Sequence, residues 1–246
     1  MYRFFTDSLN VDTVNGKVTI TGSDVNHIKN VLRMKEGDTI LVSDGVITDV
    51  TCKITKINSD FILTDIIAEN EDNELSSRIV LFQGLAKGDK MEFVIQKATE
   101  LGVSEVVPVA MKRCVVKFDD KKAANKIKRY EAVCESAAKQ SKRSIIPTIH
   151  SVLSYKEALE YAKELDVCLV PYEAAKNMDE TRKVINSIEK GKSIGIFIGP
   201  EGGFDEEEIS NALEYGFKPI TLGRRILRTE TAGLTVLSIL MYMLED

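Results

Sequence analysis

In the first 70 residues, apolar positions alternate with polar ones in short runs rich in β-branched side chains, separated by glycine, asparagine and aspartate. Alternation of this kind predicts half-buried β-strands joined by turns. The predicted strands are 17–21, 39–43, 48–57 and 61–68. A helix is predicted at 23–33 with Ser23 or Asp24 as its cap, because its apolar residues recur at helical spacing. The N-terminal region is therefore predicted to be a small β-rich unit.

From residue 78 the pattern changes to short apolar strands that alternate with helices. The predicted strands are 78–85, 104–110, 166–171, 193–198 and 218–222, and the predicted helices are 89–101, 123–142, 154–164, 178–190, 205–215 and 229–245. Strands such as VCLV and IGIFI lack polar alternation, which is typical of a parallel sheet covered on both faces. The polar, acidic stretch 69–77 is the predicted linker, so we predict domains at 1–72 and 73–246.

Composition places the chain among soluble globular proteins, with 246 residues of which 43% are hydrophobic and 29% charged. No stretch reaches the roughly 18 uninterrupted apolar residues of a membrane span, and the N-terminus lacks the apolar region of a secretory signal. The four cysteines form no C-x-x-C pair, and neither histidine has a ligand-type neighbour at metal-site spacing. These features predict reduced thiols, no metal, no membrane contact and a cytoplasmic location.

The distribution of charge changes the picture given by the net charge of −5, which by itself disfavours nucleic acid. Residues 112–143 carry 11 basic and 4 acidic side chains, a local net charge of +7. Charges elsewhere are screened over a Debye length of about 8 Å at physiological salt. The segment could therefore bind phosphates, while the alternative is a solvated lysine-rich helix.

Candidate chemistry begins at the turn Gly199-Pro200-Glu201-Gly202-Gly203, which follows the strand IGIFI. Its glycine spacing matches neither a Walker loop nor a dinucleotide fingerprint. Asp205 and Glu208 are placed to form a capping box at the next helix, and this acidic first turn disfavours phosphate. A ligand with a cationic reactive centre is favoured instead. Glu201 makes no such cap and is predicted to orient the ligand or a neighbouring loop.

A second glycine turn follows the next strand, in the sequence LGRRILRTETA at 222–232. Two glycine turns at consecutive strand ends can clamp a flat heterocycle between backbone segments, beyond the carboxyl ends of a parallel sheet. Taken alone, this turn could also be an ordinary connection with surface arginines.

Together these stretches resemble the ribosomal RNA small-subunit uridine-N3 methyltransferase (RsmE-like) family of the SPOUT class. The matching pieces, spread over nearly the whole chain, are Arg3-Phe4, HIKNVLRMKEGD (27–38), KGDKMEFVIQKATELGV (87–103), KQSKRSIIP (139–147), IGPEGGF (198–204) and LGRRILRTETA (222–232). The last two are highly specific in combination.

The resemblance implies an N-terminal PUA-like β-barrel for RNA docking and a C-terminal α/β domain with a parallel sheet and a trefoil knot. It implies a homodimer whose active sites borrow groups from the partner, and methylation of one uridine of 16S ribosomal RNA, either free or in the assembled small subunit. It implies S-adenosylmethionine as cofactor, whose sulfonium carries no phosphate. The implied cofactor-binding residues are Gly199, Glu201, Gly202 and Gly203 in the first loop, and Leu222, Gly223, Ile226, Leu227 and Arg228 in the second.

Uridine N3 bears a proton on the Watson–Crick edge, so the base must be unpaired and the proton must leave. Arg228 and Arg113 are the candidates for stabilising the resulting anion, and Glu230 for the base or for holding the arginines. The predicted RNA contacts are Arg3, Arg33, Lys121, Lys122, Lys126, Lys139, Gln140 and Arg143. The family typically has Glu where this chain has Lys112 and Lys139, which removes a possible partner for Arg113 or Arg143.

Three alternatives remain open from the sequence. The nearest is a SPOUT enzyme that modifies another RNA position, such as a tRNA ribose or a guanine. An RNA-binding module without catalysis is disfavoured by the intact GPEGG and RILRTETA stretches. A nucleotide-binding oxidoreductase is disfavoured by the missing phosphate fingerprint.

Overall fold

The structure, a computed structural model, describes residues 1–46, 48–71, 73–116, 119–173, 175 and 177–245. The chain folds into two compact units. Unit 1 comprises Met1–Glu74 and Ala138–Ile146, and unit 2 comprises Leu75–Ala137 and Pro147–Asp246. The second piece of unit 1 was not anticipated from the sequence. Asp72, at the predicted domain boundary, and Lys117, in the basic segment, lie outside the described residues.

Unit 1 is built on one six-stranded sheet with the strand order β1-β4-β5-β6-β3-β2. Its strands are β1 (Arg3–Phe5), β2 (Val11–Asp12), β3 (Lys17–Thr21), β4 (Thr39–Ser43), β5 (Asp49–Ile57) and β6 (Phe61–Glu69). All neighbours pair antiparallel except β1 and β4, which are parallel. The four long strands were predicted, whereas β1 and β2 were missed because runs of two or three residues carry no periodic signal.

The sheet of unit 1 curls into a half-barrel. Irregular pairing of β5 with β6 at Thr51/Cys52 and at Ile54/Lys56 bends the strands, as bulges do. Across the curl, the hydroxyl of Thr6 donates to the carbonyl of Thr19 at 3.0 Å. The core of unit 1 is a cluster of buried hydrophobic side chains that includes Ile20, Ile40, Ile54 and Ile62.

One helical segment lies between β3 and β4 in the chain, where a helix was predicted. Helix α1 (Ser23–Asn26) continues as a π-helical turn, His27–Val31, and Ile28 is fully buried. The predicted caps are wrong, because the N-cap is Gly22, with φ of 73°, and it makes no side-chain capping bond. Glycine there tolerates the left-handed conformation with which the chain leaves β3.

Unit 2 contains a seven-stranded sheet in which all pairs are parallel, in the order β10-β8-β7-β12-β11-β13, with β9 also paired to β8. Its strands are β7 (Ile79–Gly84), β8 (Glu105–Ala110), β9 (Thr148–Ile149), β10 (Leu153–Ser154), β11 (Val167–Pro171), β12 (Ile194–Ile198) and β13 (Lys218–Ile220). Its helices are α2 (Lys90–Glu100), α3 (Asp120–Ser141), α4 (Tyr155–Ala162), α5 (Met178–Asn186), α6 (Glu206–Glu214) and α7 (Thr229–Leu244), the last four residues of α3 being assigned to unit 1. Every strand and helix predicted after residue 78 is present, and the short edge strands β9 and β10 were missed.

The central strands of unit 2 are fully buried, as their continuous apolar sequences predict. Strand β12 lies between β7 and β11, with Ile198 opposite Gln83 at their carboxyl ends. The predicted fold class, a β-rich N-terminal part followed by an α/β domain with a parallel sheet, is confirmed. The trefoil knot stays a prediction. Within the described part of the chain, no helix has the length and apolarity needed to cross a membrane.

Candidate active site

The first glycine turn folds back on itself between β12 and α6. The amide N–H of Gly203 donates to the carbonyl of Pro200 at 2.9 Å, and Gly203 has φ of 68°. A Cβ atom built on Gly199 would lie 3.1 Å from the carbonyl carbon of Gly203, a contact so tight that the backbone of the turn would have to shift by a few tenths of an ångström. The turn therefore presents backbone at the carboxyl end of a central strand.

Glu201 connects this turn to the loop that follows β7. Its Oε1 accepts hydrogen bonds from the ammonium of Lys90 at 2.8 Å and from the backbone N–H of Lys87 at 3.0 Å. Partial burial raises the pKa of Glu201, but the bonds from Lys90 and Lys87 outweigh it and hold the pKa below its usual value. Glu201 thus orients the neighbouring loop, which was one of its two predicted roles.

The predicted capping box at α6 is confirmed. Asp205 is the N-cap, its carboxylate accepts from the N–H of Glu207 at 3.3 Å, and Glu208 Oε2 accepts from the N–H of Asp205 at 2.9 Å. Glu208 is 6% exposed, and its second oxygen accepts from the backbone N–H of Lys112 at 2.8 Å. The capping residue therefore also fastens the loop that follows β8.

The side chains of Lys112 and Arg113 contact the first glycine turn and α6. The ammonium of Lys112 lies 2.8 Å from Asp205 Oδ1, and this hydrogen bond raises the pKa of Lys112 and lowers that of Asp205. The guanidinium of Arg113 donates to the carbonyl of Gly202 at 3.3 Å and lies 3.5 Å from Asp205 Oδ2. Asp205 is thus an acidic partner of Arg113. No such partner was predicted from the sequence.

These contacts bear on the electrostatic expectation drawn from the sequence. Lys90 pairs with Glu201, while Lys112 and Arg113 pair with Asp205. These cations offset part of the negative charge near the turn, while the expectation that the acidic first turn of α6 disfavours phosphate stays a prediction. The sequence did not predict that these cations lie beside the turn, because they come from distant parts of the chain.

A cavity of about 450 Å³ lies between the two glycine turns, a volume within the range of small-molecule sites. It is lined by all of the predicted cofactor-binding residues and by Arg228 and Glu230, that is by Gly199, Glu201, Gly202, Gly203, Leu222, Gly223, Ile226, Leu227, Arg228 and Glu230. Gly223 has φ of 102°, a conformation that favours glycine at the entry to the second turn. Arg113 packs behind the first turn and is not among the lining residues.

A third loop, which sequence reasoning missed, closes another side of the cavity. Pro171, the last residue of β11, and the two residues after it, Tyr172 and Glu173, line the cavity. Because β11 pairs with both β12 and β13, its carboxyl end lies at the same edge of the sheet. The sequence did predict the strand 166–171. It did not predict that this strand lies beside β12 and β13, because strand order cannot be read from one sequence.

Glu230 is one of the carboxylates that line this cavity, together with Glu173 and Glu201. Its Oε2 atom is buried and has no hydrogen-bond partner within the described residues. A buried acceptor without a donor costs stability, so a ligand that donates a hydrogen bond fits the site. S-adenosylmethionine carries an ammonium, an adenine amino group and ribose hydroxyls as donors, so the residues present fit this cofactor.

Arg228 lies at the start of α7, where its backbone forms the N-cap. Its side chain is exposed, lines the cavity, and forms no hydrogen bond or ion pair with any described residue. A cation of this kind at the mouth of a cavity is available to a substrate. In the described residues, no group of three or more His, Cys, Asp or Glu side chains is placed to hold a metal ion.

Comparison with known proteins decides the family. The family model for an RNA methyltransferase domain matches residues 73–241, and that for an RNA methyltransferase PUA domain matches residues 20–67. The chain is 39% identical to ribosomal RNA small subunit methyltransferase E of Bacillus subtilis, over 92% of this chain and 90% of the relative. It is 37% identical to the Mesomycoplasma hyopneumoniae protein of the same name, over 97% and 98% of the two chains.

The chain belongs to the ribosomal RNA small subunit methyltransferase E family. It is accordingly an RNA methyltransferase, and the resemblance found in the sequence is confirmed.

Solved structures of similar proteins bear on the cofactor of this methyltransferase. The methyltransferase E of Neisseria gonorrhoeae, bound to S-adenosyl methionine, is 33% identical, with a TM-score of 0.85 over 99% of this chain and 98% of that one. A Legionella pneumophila methyltransferase in complex with the cofactor SAM is 29% identical, with a TM-score of 0.86 over 100% and 98%. Both agree with the cofactor predicted from the sequence.

Two of the arginines predicted to contact RNA are buried in unit 1 of the methyltransferase. Arg3 is 5% exposed and donates to Asp49 at 2.7 Å. Arg143 is 6% exposed, and its Nε donates to Glu74 at 2.9 Å. These ion pairs explain why the arginines are buried, and we assign both residues to the fold of unit 1.

The remaining predicted RNA contacts differ in exposure. Lys139 is half-buried and lies 3.0 Å from Asp24, so its charge also has an internal partner. Lys126 lies 3.7 Å from Glu92. Four predicted RNA contacts are exposed, namely Arg33, Lys121, Lys122 and Gln140.

Proposed function

We propose that this protein transfers the methyl group of S-adenosylmethionine to N3 of a uridine in 16S ribosomal RNA. Its relatives carry the name ribosomal RNA small subunit methyltransferase E, and two similar structures hold S-adenosylmethionine. The observation that carries the proposal for this chain is the cavity between the two glycine turns. Its lining includes Glu230, whose buried Oε2 has no hydrogen-bond donor among the described residues.

The two glycine turns would hold the cofactor with backbone groups, and Glu230 would accept a hydrogen bond from it. When bound, S-adenosylmethionine supplies an electrophilic methyl group on a sulfonium ion. The turns lie at the carboxyl ends of β12 and β13, so the sheet holds their positions fixed.

The chain's own task in catalysis concerns the proton on uridine N3. The N3 proton must be removed because its electron pair forms the new bond to carbon, and the base must be out of its stack to be reached. Arg228, exposed at the mouth of the cavity, is placed to stabilise the uridine anion. Glu230 is the proposed proton acceptor; the alternative role of holding Arg228 is not kept, because the Arg228 side chain makes no hydrogen bond or ion pair with a described residue. Arg113, which bonds Gly202 and Asp205, is assigned to hold the first turn in place.

RNA would be bound by the exposed cations of the basic segment and by the N-terminal domain. Lys121 and Lys122 lie exposed in the first turn of α3, and Arg33 is exposed in unit 1. The match to an RNA methyltransferase PUA domain supports an RNA-docking role for the N-terminal part. We keep 1–72 and 73–246 as the proposed functional domains, with 138–146 as a segment of the second that packs in unit 1.

A homodimer is supported by the outer face of α7. After Glu230 this helix contains no charged residue, and Tyr242 is 85% exposed. Helix α2, which packs against α7, exposes 46% of Phe93. Exposed apolar surface on a helix without charges is typical of a protein interface, and a second copy of the chain is the proposed partner. The four buried free cysteines support a cytoplasmic, reducing location.

The test is methyl transfer from labelled S-adenosylmethionine to naked 16S ribosomal RNA and to purified small subunits, followed by mass analysis of nucleosides. We expect N3-methyluridine from at least one substrate. A 2′-O-methylated nucleoside or a methylguanosine, from these RNAs or from tRNA, would support the alternative enzyme. No transfer to any RNA, with normal RNA binding, would point to a non-catalytic module.

A further inference from the structure

Gln83 is the only polar side chain in the otherwise apolar strand β7, and it is fully buried. Its Nε2 donates to the hydroxyl of Thr229 at 2.9 Å and to the carbonyl of Gly84 at 3.1 Å. The hydroxyl of Thr229 in turn donates to the carbonyl of Gly199 at 2.6 Å. One chain of hydrogen bonds therefore runs from β7 through the start of α7 to the first residue of the glycine turn.

Chemistry determines which group donates and which accepts in each of these hydrogen bonds. Carbonyl oxygens only accept, so the single proton of the Thr229 hydroxyl must point to Gly199. The hydroxyl must then accept from Gln83, which requires the amide nitrogen, not the amide oxygen, at that position. A glutamate or an apolar side chain at position 83 could not complete the relay.

The other end of the Gln83 amide indicates that the residue is not present for packing. Its Oε1 is buried without a hydrogen-bond partner in the described part of the chain. Such an oxygen is destabilising, and an apolar side chain like those of the neighbouring strand positions would avoid the penalty. The advantage of glutamine at position 83 must therefore come from the two hydrogen bonds that its amide nitrogen donates.

The position of Gln83 indicates that its two donated hydrogen bonds act on the first glycine turn. Gln83 lies opposite Ile198 in the sheet and does not line the cavity. The next residue, Gly84, approaches the turn so closely that a Cβ atom there would lie 2.6 Å from the nitrogen of Pro200. The end of β7 thus packs directly against the first glycine turn.

We propose that Gln83 is a positioning residue for the cofactor: through Thr229 it fixes the carbonyl of Gly199, and thereby the shape of the first glycine turn. The inference rests on the proposed function, since it assigns that turn to S-adenosylmethionine. Gln83 itself touches no ligand, and its effect reaches the cavity through the hydroxyl of Thr229.

The test is the affinity for S-adenosylhomocysteine, measured by calorimetry on the full-length protein. Gln83→Met keeps the length of the side chain and removes the donors, and we expect binding about 10-fold weaker. Thr229→Val should weaken binding to a similar extent, whereas Thr229→Ser keeps the hydroxyl and should bind within about 3-fold of the unaltered protein. Because both residues act through one relay, the double variant should also lose about 10-fold, where independent effects would give about 100-fold.

Thr99→Val is the matched control, because Thr99 is fully buried and its hydroxyl donates to Ile95 at 2.8 Å within α2. It should lower the melting temperature without changing the affinity. Additive losses in the double variant would overturn the inference. Equal binding by Thr229→Ser and Thr229→Val would overturn it even if Gln83→Met did not fold. Normal binding by Gln83→Met would also overturn it and leave the proposed function intact. Failure of the unaltered protein to bind S-adenosylhomocysteine would instead overturn both.

Discussion

The carboxylate of Glu201 lies 2.8 Å from the ammonium of Lys90, and this ion pair joins the first glycine turn to the first turn of α2. Both side chains are about one-third exposed or less, at 28% and 31%, so water screens the pair only in part. The position of the turn therefore depends on a cation that comes from more than a hundred residues earlier in the chain.

Glu201→Lys should abolish detectable binding of S-adenosylhomocysteine in calorimetry. The substitution sets two ammonium groups against each other and leaves the N–H of Lys87 without its acceptor. Glu201→Gln is the control, because an amide oxygen can still accept from Lys87, and we expect only a partial loss. Normal binding by Glu201→Lys would show that the turn does not depend on this contact.

Arg228→Ala should reduce turnover by about 100-fold while the affinity for S-adenosylhomocysteine changes by less than about 3-fold. The reason is that the Arg228 side chain has no described partner in the fold and is free to meet the substrate. Single-turnover methylation and calorimetry measure the two quantities. Arg182→Ala, at an exposed position on α5 that does not line the cavity, should retain activity. Equal losses in rate and affinity for Arg228→Ala would make Arg228 a cofactor contact.

Lys121→Glu combined with Lys122→Glu should weaken RNA binding and flatten its dependence on salt. Each lost phosphate contact lowers the slope of log affinity against log salt by about 0.9 for a duplex and about 0.7 for a single strand. Fluorescence anisotropy at several salt concentrations gives the slope. Lys183→Glu with Lys190→Glu makes the same change in net charge at exposed positions of unit 2 outside α3 and should leave the slope unchanged. An unaltered slope in the α3 variant would show that the lysines of this helix are solvated surface charges that do not bind RNA.

Tyr242→Glu should convert the proposed dimer to a monomer, as measured by sedimentation velocity. The substitution places a charge on the outer face of α7, which carries no other charge after Glu230. Leu213→Glu, at an exposed apolar position on α6, should leave the dimer intact. If the unaltered protein sediments as a monomer at micromolar concentration, the interface assigned to α7 is incorrect.

Glu105→Gln should lower the free energy of unfolding at pH 7 by about 1 to 2 kcal/mol, a figure reduced for the partial exposure of the group. Burial raises the pKa of Glu105, but hydrogen bonds from His150, Tyr161 and Arg78 outweigh it and lower the pKa from 4.5 to about 2. The carboxylate therefore stabilises the fold above about pH 4.5, and this contribution is lost as the pH falls toward 2.

Urea unfolding at pH 7 and pH 3 measures this contribution. The difference between Glu105→Gln and the unaltered protein should shrink at the lower pH. Glu189→Gln, at an exposed position, should match the unaltered protein at both. A difference that does not depend on pH would mean that packing, not charge, sets the contribution of Glu105.

Local signals in the sequence were sufficient for most elements and for the lining of the cavity. The capping box of Asp205 and Glu208 needs only residues three apart, and the run Ile194–Ile198 followed by glycines fixes where a central strand ends. The specificity of the two glycine turns also identified the family. Each of these features depends on neighbours in the chain, so one sequence contains it.

The return of 138–146 to unit 1, the pairing of Arg143 with Glu74, and the neutralisation of Asp205 by Lys112 and Arg113 were decided only by the tertiary structure. The relay from Gln83 to Gly199 joins residues 146 and 30 positions apart in its two steps. Periodicity and capping act within one or two turns of chain, whereas these contacts depend on the order of strands in a sheet. The sequence by itself therefore predicted the cofactor and the turns proposed to bind it, while the fold determined which distant side chains hold those turns in place.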